Sequence, residues 1–134
     1  MKTGDKICYH VWFATKGRKR LLQGQIEGKV KQLFRIIAGD QGIELLVCET
    51  MFDHVHLLLR SNPKDLPRVI FLLKGISARR VFQAFPELKL DAKTQNLWQA
   101  RYGAKMIPEE TLPSLKRYIT TQKNRPEKYE QAYR

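Results

Sequence analysis

Short apolar runs of β character and longer stripes of helical spacing take turns along this chain. Ile7 to Ala14 mixes β-branched and aromatic residues, among them Tyr9, Val11, Trp12 and Phe13, and runs into a basic turn at Gly17, which predicts a strand. Ile26, Val30, Leu33 or Phe34, and Ile37 then recur at helical spacing, with Gly39 and Gly42 marking the end of that helix. Ile43 to Thr50 predicts a second strand, joined through Met51-Phe52-Asp53 to a third over His54 to Arg60. Ser61 to Pro67 supplies turn and cap chemistry for a second helix, with Asp65 as the cap and Pro67 in the first turn. Leu66, Ile70, Leu73, Ser77 and Val81 form its stripe, widened by Val69, Phe82 and Phe85, and Pro86 ends it. After a polar loop from Asp91 to Asn96, the run Leu97 to Tyr102 predicts a fourth strand. A last helix is expected from about Thr111, carrying Leu115, Tyr118, Ile119 and Gln122. The tail from Asn124 to Arg134 is polar and interrupted by proline, and is expected to be loosely held.

Strand, helix, strand, strand, helix, strand is the order of the split βαβ arrangement. The expected class is therefore α+β and ferredoxin-like (RRM-like): a four-stranded, mostly antiparallel sheet with two core helices on one face. The added C-terminal helix, which carries Tyr118, belongs near the face or edge that those two leave uncovered. With 134 residues, residues 1–134 fit a single domain with one core of its own.

Composition changes the picture through charge. Lys and Arg number 25 against 13 Asp and Glu, a formal charge of +12, which favours a polyanionic partner, nucleic acid first. The basic residues are spread along the chain, with Arg18, Lys19 and Arg20 after the first strand, Lys74 and Arg79 on the second helix and Lys105 further on. These six are the candidate contacts to a DNA backbone. No apolar run approaches the roughly 20 residues needed to cross a bilayer, and the start Met1 to Asp5 lacks a signal-peptide core. The expectation is a soluble, intracellular protein with no membrane partner. Cys8 and Cys48 sit among apolar neighbours in predicted strands, as small buried hydrophobes do.

The densest chemistry lies in Asp53-His54-Val55-His56-Leu57-Leu58. Strand side chains alternate, so His54 and His56 share a face with Cα atoms about 6 to 7 Å apart, and two imidazoles at that spacing can share one metal ion. Val55, Leu57 and Leu59 fall on the other face, toward a core, so the expectation is a half-buried strand displaying the pair. Tyr118 and Gln122, four apart on a helix, lie over one surface. A phenol has a reference pKa of about 10, so as a nucleophile it requires activation by a base, a cationic field or a metal. A metal held by His54 and His56 would polarise a phosphate oxygen and leave the Gln122 carboxamide as a third ligand. His10 is accounted for by its strand position alone, and Asp53 by closing the hairpin turn, with orientation of an imidazole as its second reading.

Three stretches together resemble the single-tyrosine HUH transposases of the insertion-sequence-200/605 group: the His-hydrophobe-His strand, Leu115 to Gln122, and Leu73 to Arg79 with Phe85 to Leu88 between them. The first strand and basic turn, His10 to Arg18, and the pair Leu97-Trp98 are similar to that family as well. Phe52 stands where the family most often has proline, and Arg101-Tyr102-Gly103 replaces its usual Gly-Tyr order. The resemblance implies an intracellular prokaryotic enzyme that nicks and rejoins single-stranded DNA through a 5′-phosphotyrosine intermediate. It implies Tyr118 as the nucleophile, and His54, His56 and Gln122 as ligands of Mg²⁺ or Mn²⁺. It further implies recognition of imperfect hairpins at element ends and a homodimer with shared active sites. Two other classes compete: a non-catalytic single-strand DNA or RNA binding module on an open sheet, and a zinc hydrolase using His10, His54 and His56.

Overall fold

In a computed structural model that describes residues 6–92 and 96–121, the chain forms β1 (Ile7–Ala14), α1 (Gly24–Gln41), β2 (Glu44–Met51), β3 (His54–Ser61), α2 (Leu66–Ala84), the short α3 (Glu87–Ala92), β4 (Gly103–Ile107) and α4 (Leu112–Thr121). The four strands make one sheet in the order β2-β3-β1-β4, antiparallel at every pairing. This is the expected ferredoxin-like arrangement. Among the described residues, no helix is long and apolar enough to cross a membrane.

Alternation along the strands divides the sheet into two faces. Tyr9, Val11 and Phe13 of β1 and Val55, Leu57 and Leu59 of β3 point toward α1 and α2 and form the larger core with Val30, Leu33, Phe34, Ile37, Ile70, Leu73 and Val81. α1 is stopped at Gly42, whose φ of +67° is a left-handed conformation that glycine adopts without strain. At α2, Asp65 holds the cap position, yet its side chain makes no capping bond. Asn62 Oδ1 accepts the N–H of Asp65 itself at 3.1 Å and so closes the turn that leads into the helix.

The opposite face carries a second, smaller core. Cys8, Val47, Leu58 and Ile107 of the sheet pack against Leu112 and Ile119 of α4. Burying each such aliphatic side chain is worth about 1.5–3 kcal/mol, so a narrow stripe holds α4 against the sheet. Arg60 adds a polar clamp at the start of that helix. Its guanidinium forks onto both carboxylate oxygens of Glu109, at 2.8 and 3.2 Å, and reaches Glu44 on β2 at 2.6 Å.

Two expectations are corrected here. The fourth strand is Gly103–Ile107 and not Leu97 to Tyr102. Leu97 and Trp98 form only a strap across the end of β1, with one bridge between Thr15 and Trp98 and backbone bonds from Lys16 to Leu97 and from Gln99 to Ala14. Their apolarity serves the core: Trp98 is buried against Phe13 and Phe34, and its indole N–H donates to Ser77 Oγ at 2.9 Å. β4 is an edge strand with Ala104, Lys105 and Met106 exposed, so it carries no apolar alternation to read. In addition, β3 is not half-buried. As an inner strand it is covered on both faces, and His54 and His56 retain only 2 % and 8 % of their exposure.

Gly103 lies opposite Trp12 on β4, and a Cβ added there would collide with the indole ring. Gly103→Ala is therefore expected to cost about 1–3 kcal/mol of stability in urea titrations, the usual penalty of overpacking. In a Trp12→Ala background the same change should cost much less, since the opposing ring is gone.

Candidate active site

The tight turn at Phe52 and Asp53 returns the chain from β2 to β3 with Met51 opposite His54, and sets the register from which both imidazoles follow. Their rings stand 5.2 Å apart at 80° to one another. Across β1 the partners are Ala14 for His54 and Trp12 for His56. His10, diagonal to His56, therefore shares their face.

Each imidazole is held through its Nδ1. Asp53 Oδ1 accepts from His54 Nδ1 at 2.6 Å, while Oδ2 of the same carboxylate accepts from Arg18 Nε at 3.0 Å. Arg18 reaches Asp53 from a one-turn helix at residues 16–18, in which Gly17 and Arg18 both take positive φ, +69° and +53°. That turn is tied to the hairpin by the Thr15 N–H, which donates to the Asp53 carbonyl at 2.9 Å. On the other ring, His56 Nδ1 and His10 Nε2 share a hydrogen bond of 2.8 Å. A carboxylate only accepts, so His54 carries its proton on Nδ1 and presents a lone pair at Nε2. Nε2 of His54 and of His56 are both buried, and neither atom has a hydrogen-bond partner among the described residues.

Burial dominates the electrostatics. It pushes His10 and His54 down to about 4, with the nearby Asp53 pulling His54 only partly back up. His56 falls to about 2, through burial and then through its two imidazole neighbours. For Asp53, burial acts to raise the pKa but is outweighed by the hydrogen bonds from Arg18 and His54, and the carboxyl stays below its ordinary value. All three rings are thus neutral at neutral pH, the form in which imidazole ligates a metal.

The remaining expected site residues are placed less closely. Tyr118 sits on α4 beside the buried Ile119 and is 50 % exposed. Gln122 lies outside the described residues, as does the tail at 124–134. Among the described residues no group of three or more His, Cys, Asp and Glu is arranged to hold a metal. The three-imidazole zinc set is not assembled, because the ring atoms that His10 and His56 turn to each other are occupied by their mutual bond. His10, read above as strand structure or, in the competing zinc class, as a ligand, is the residue whose bond to His56 sequence reasoning missed. Its one legible signal was its place two residues from Trp12 on the face that β3 shares.

The six candidate DNA contacts divide. Arg18 is committed to Asp53, and Arg20 lies over the Phe52 ring at 4.5 Å. Lys74 turns inward, its ammonium donating to the carbonyls of Gln99, Ala100 and Arg101, where burial lowers its pKa. It pins the strap and is not held out toward a ligand. Lys19, Arg79 and Lys105 are exposed, and Lys105 stands opposite His10 on the site's own face.

Residues 3–122 match the family described as "Transposase IS200 like". This chain belongs to that family. It is 37% identical over 118 residues to the ISDra2 transposase TnpA of Deinococcus radiodurans, covering 87% of this chain and 84% of that one. Over 104 residues it is 27% identical to the transposase for insertion sequence element IS200 of Salmonella typhimurium, covering 77% and 68%. A crystal structure from Deinococcus radiodurans, described as a transposase, superposes with a TM-score of 0.71 at 39% identity, over 91% of this chain and 98% of that one. A tyrosine transposase solved bound to a REP hairpin shares the fold, with a TM-score of 0.63 at 15% identity over 91% and 70%.

The buried neutral imidazoles make the stability of this transposase acid-sensitive. With folded pKa values below the unfolded 6.5, the histidines leave stability intact above about pH 6.5, and it declines as pH falls toward 4, where the unfolded chain binds more protons. Denaturant titrations of metal-free protein between pH 7.5 and 4 should show that decline. His10→Gln, which replaces one titrating ring by a neutral amide, should make it shallower.

Proposed function

We propose that this transposase nicks and rejoins single-stranded DNA by transesterification, with Tyr118 as nucleophile and with His54, His56 and Gln122 holding Mg²⁺ or Mn²⁺. The observation that carries the proposal is the pair of buried, neutral imidazoles 5.2 Å apart, each held by Nδ1 so that Nε2 is the remaining nitrogen. That donor set fits a divalent cation, and imidazole suits Mn²⁺ while an amide oxygen suits Mg²⁺ as well. Such an ion supplies charge neutralisation on the non-bridging oxygens of the scissile phosphate.

The chemistry of the chain's own residues follows from the phenol. The Tyr118 oxygen attacks phosphorus, the bond from phosphorus to the 3′ oxygen breaks, and the phenolic proton is in the end taken up by that oxygen. The products are a 5′-phosphotyrosine and a 3′-OH. One ester replaces another, so the reverse attack by a 3′-OH rejoins DNA without an energy source. The half-exposed position of Tyr118 on α4 supports an active site shared between the two copies of a homodimer. The fold likeness to a transposase bound to a REP hairpin supports imperfect hairpins as the DNA recognised. Lys19, Arg79 and Lys105 are the exposed cations for its backbone.

Incubation of the protein with a labelled hairpin-bearing single strand and Mn²⁺ should yield a covalent protein–DNA band in denaturing gels. Tyr118→Phe should yield none while still shifting the DNA in native gels. Adduct persisting in Tyr118→Phe rules out this nucleophile, and binding without cleavage at any divalent ion leaves a non-catalytic binding module. Asp53→Asn removes the anion that orients His54 and should weaken Mn²⁺ binding about 10- to 100-fold in calorimetric titration.

A further inference from the structure

Two different groups hold the two imidazoles. His54 has a carboxylate, an acceptor by necessity, whereas His56 has another imidazole, whose role depends on where the proton sits. If His10 carries its proton on Nε2, it donates to His56 Nδ1, and the proton of neutral His56 is then on Nε2. If His10 carries it on Nδ1, its Nε2 accepts from His56 Nδ1, and His56 Nε2 keeps its lone pair. Only the second arrangement leaves His56 able to ligate through Nε2, because its Nδ1 is occupied at 2.8 Å in both.

We infer that His10 is a positioning residue that accepts the Nδ1 proton of His56 and so fixes the tautomer in which His56 Nε2 faces a divalent cation. The inference rests on the proposal that His54 and His56 hold the metal. His10 is itself held in place. Its ring packs on Trp12 with centroids 4.9 Å apart, and Trp12 lies directly over Gly103 of β4, where a side chain would displace it. The rings of His10 and His56 are 5.0 Å apart and inclined by only 30°, and this geometry lets the nitrogens meet edge to edge. Gly103, Trp12, His10 and His56 thus form a continuous line of contacts from the edge strand to the centre of the sheet. The edge strand thereby supports one ligand while the β2–β3 turn supports the other.

The test reads tautomers directly. In ¹⁵N-labelled, metal-free protein at pH 7.5, long-range proton–nitrogen correlation spectra should show His56 protonated on Nδ1 and His10 bearing an unprotonated Nε2. His10→Phe keeps a ring of similar size without an acceptor. It should shift His56 away from the Nδ1-protonated form and weaken Mn²⁺ binding by about 10- to 100-fold, as loss of an orienting partner does. His10→Gln, whose carboxamide oxygen accepts, should restore most of both. A wild-type spectrum with His56 protonated on Nε2 overturns the inference even if neither variant folds. So does a His10→Phe variant that binds Mn²⁺ as tightly as wild type. Wild type that binds no Mn²⁺ while showing the expected tautomers overturns the metal proposal instead.

Discussion

Everything at this site depends on the register of β3 between its neighbours. Strand side chains alternate, so a slip by one residue would carry His54 and His56 into the core beneath α1 and α2 and turn Val55 and Leu57 out of it. Two apolar surfaces guard against that slip. Val55, Leu57 and Leu59 are locked into the larger core, and Leu58 on the reverse face into the smaller core under α4. The tight turn at Phe52 and Asp53 sets the same register from the chain side. Its aspartate then grips the first imidazole, so the device that fixes the register also orients a ring.

Placing imidazoles on an inner strand has an electrostatic consequence. Covered on both faces, they are desolvated, and desolvation disfavours the imidazolium form. Neutral rings retain lone pairs, and retained lone pairs are what a cation needs. Burial therefore sets the protonation state of the rings, while Asp53 and His10 hold His54 and His56 through Nδ1. The same economy governs the charge of +12. Arg18, Lys74 and Arg60 hold a carboxylate, a strap of carbonyls and the approach to α4, whereas Lys19, Arg79 and Lys105 remain exposed.

Much of this architecture could be read from periodicity. The bounds of β1 were legible to the residue, and the apolar stripes of α1 and α2 named their core positions, because side-chain alternation and helical spacing are local properties that burial imposes on the residues concerned. The strand over Leu97 to Tyr102 was misread for the complementary reason. Apolar Leu97 and Trp98 are consumed by the core as a strap, while the true edge strand is exposed at Ala104, Lys105 and Met106, buried at Ile107, and so shows no apolar alternation. Asp65 does stand at the cap of α2, but its side chain makes no capping bond, because a residue type signals the position and not which nearby oxygen turns toward the chain.

For the site, the amino-acid order by itself determined that His54 and His56 share a face and that the chain is an IS200-like transposase, since pattern and motif reside in residues close along the chain. Tertiary structure alone decided that those rings are buried and neutral, that Asp53 and Arg18 line up behind one of them, and that His10 stands behind the other. Those relations join residues 35 and 46 positions apart. They exist only because antiparallel pairing of β1 with β3 brings distant positions within hydrogen-bonding reach, and no local pattern encodes which pairs will meet.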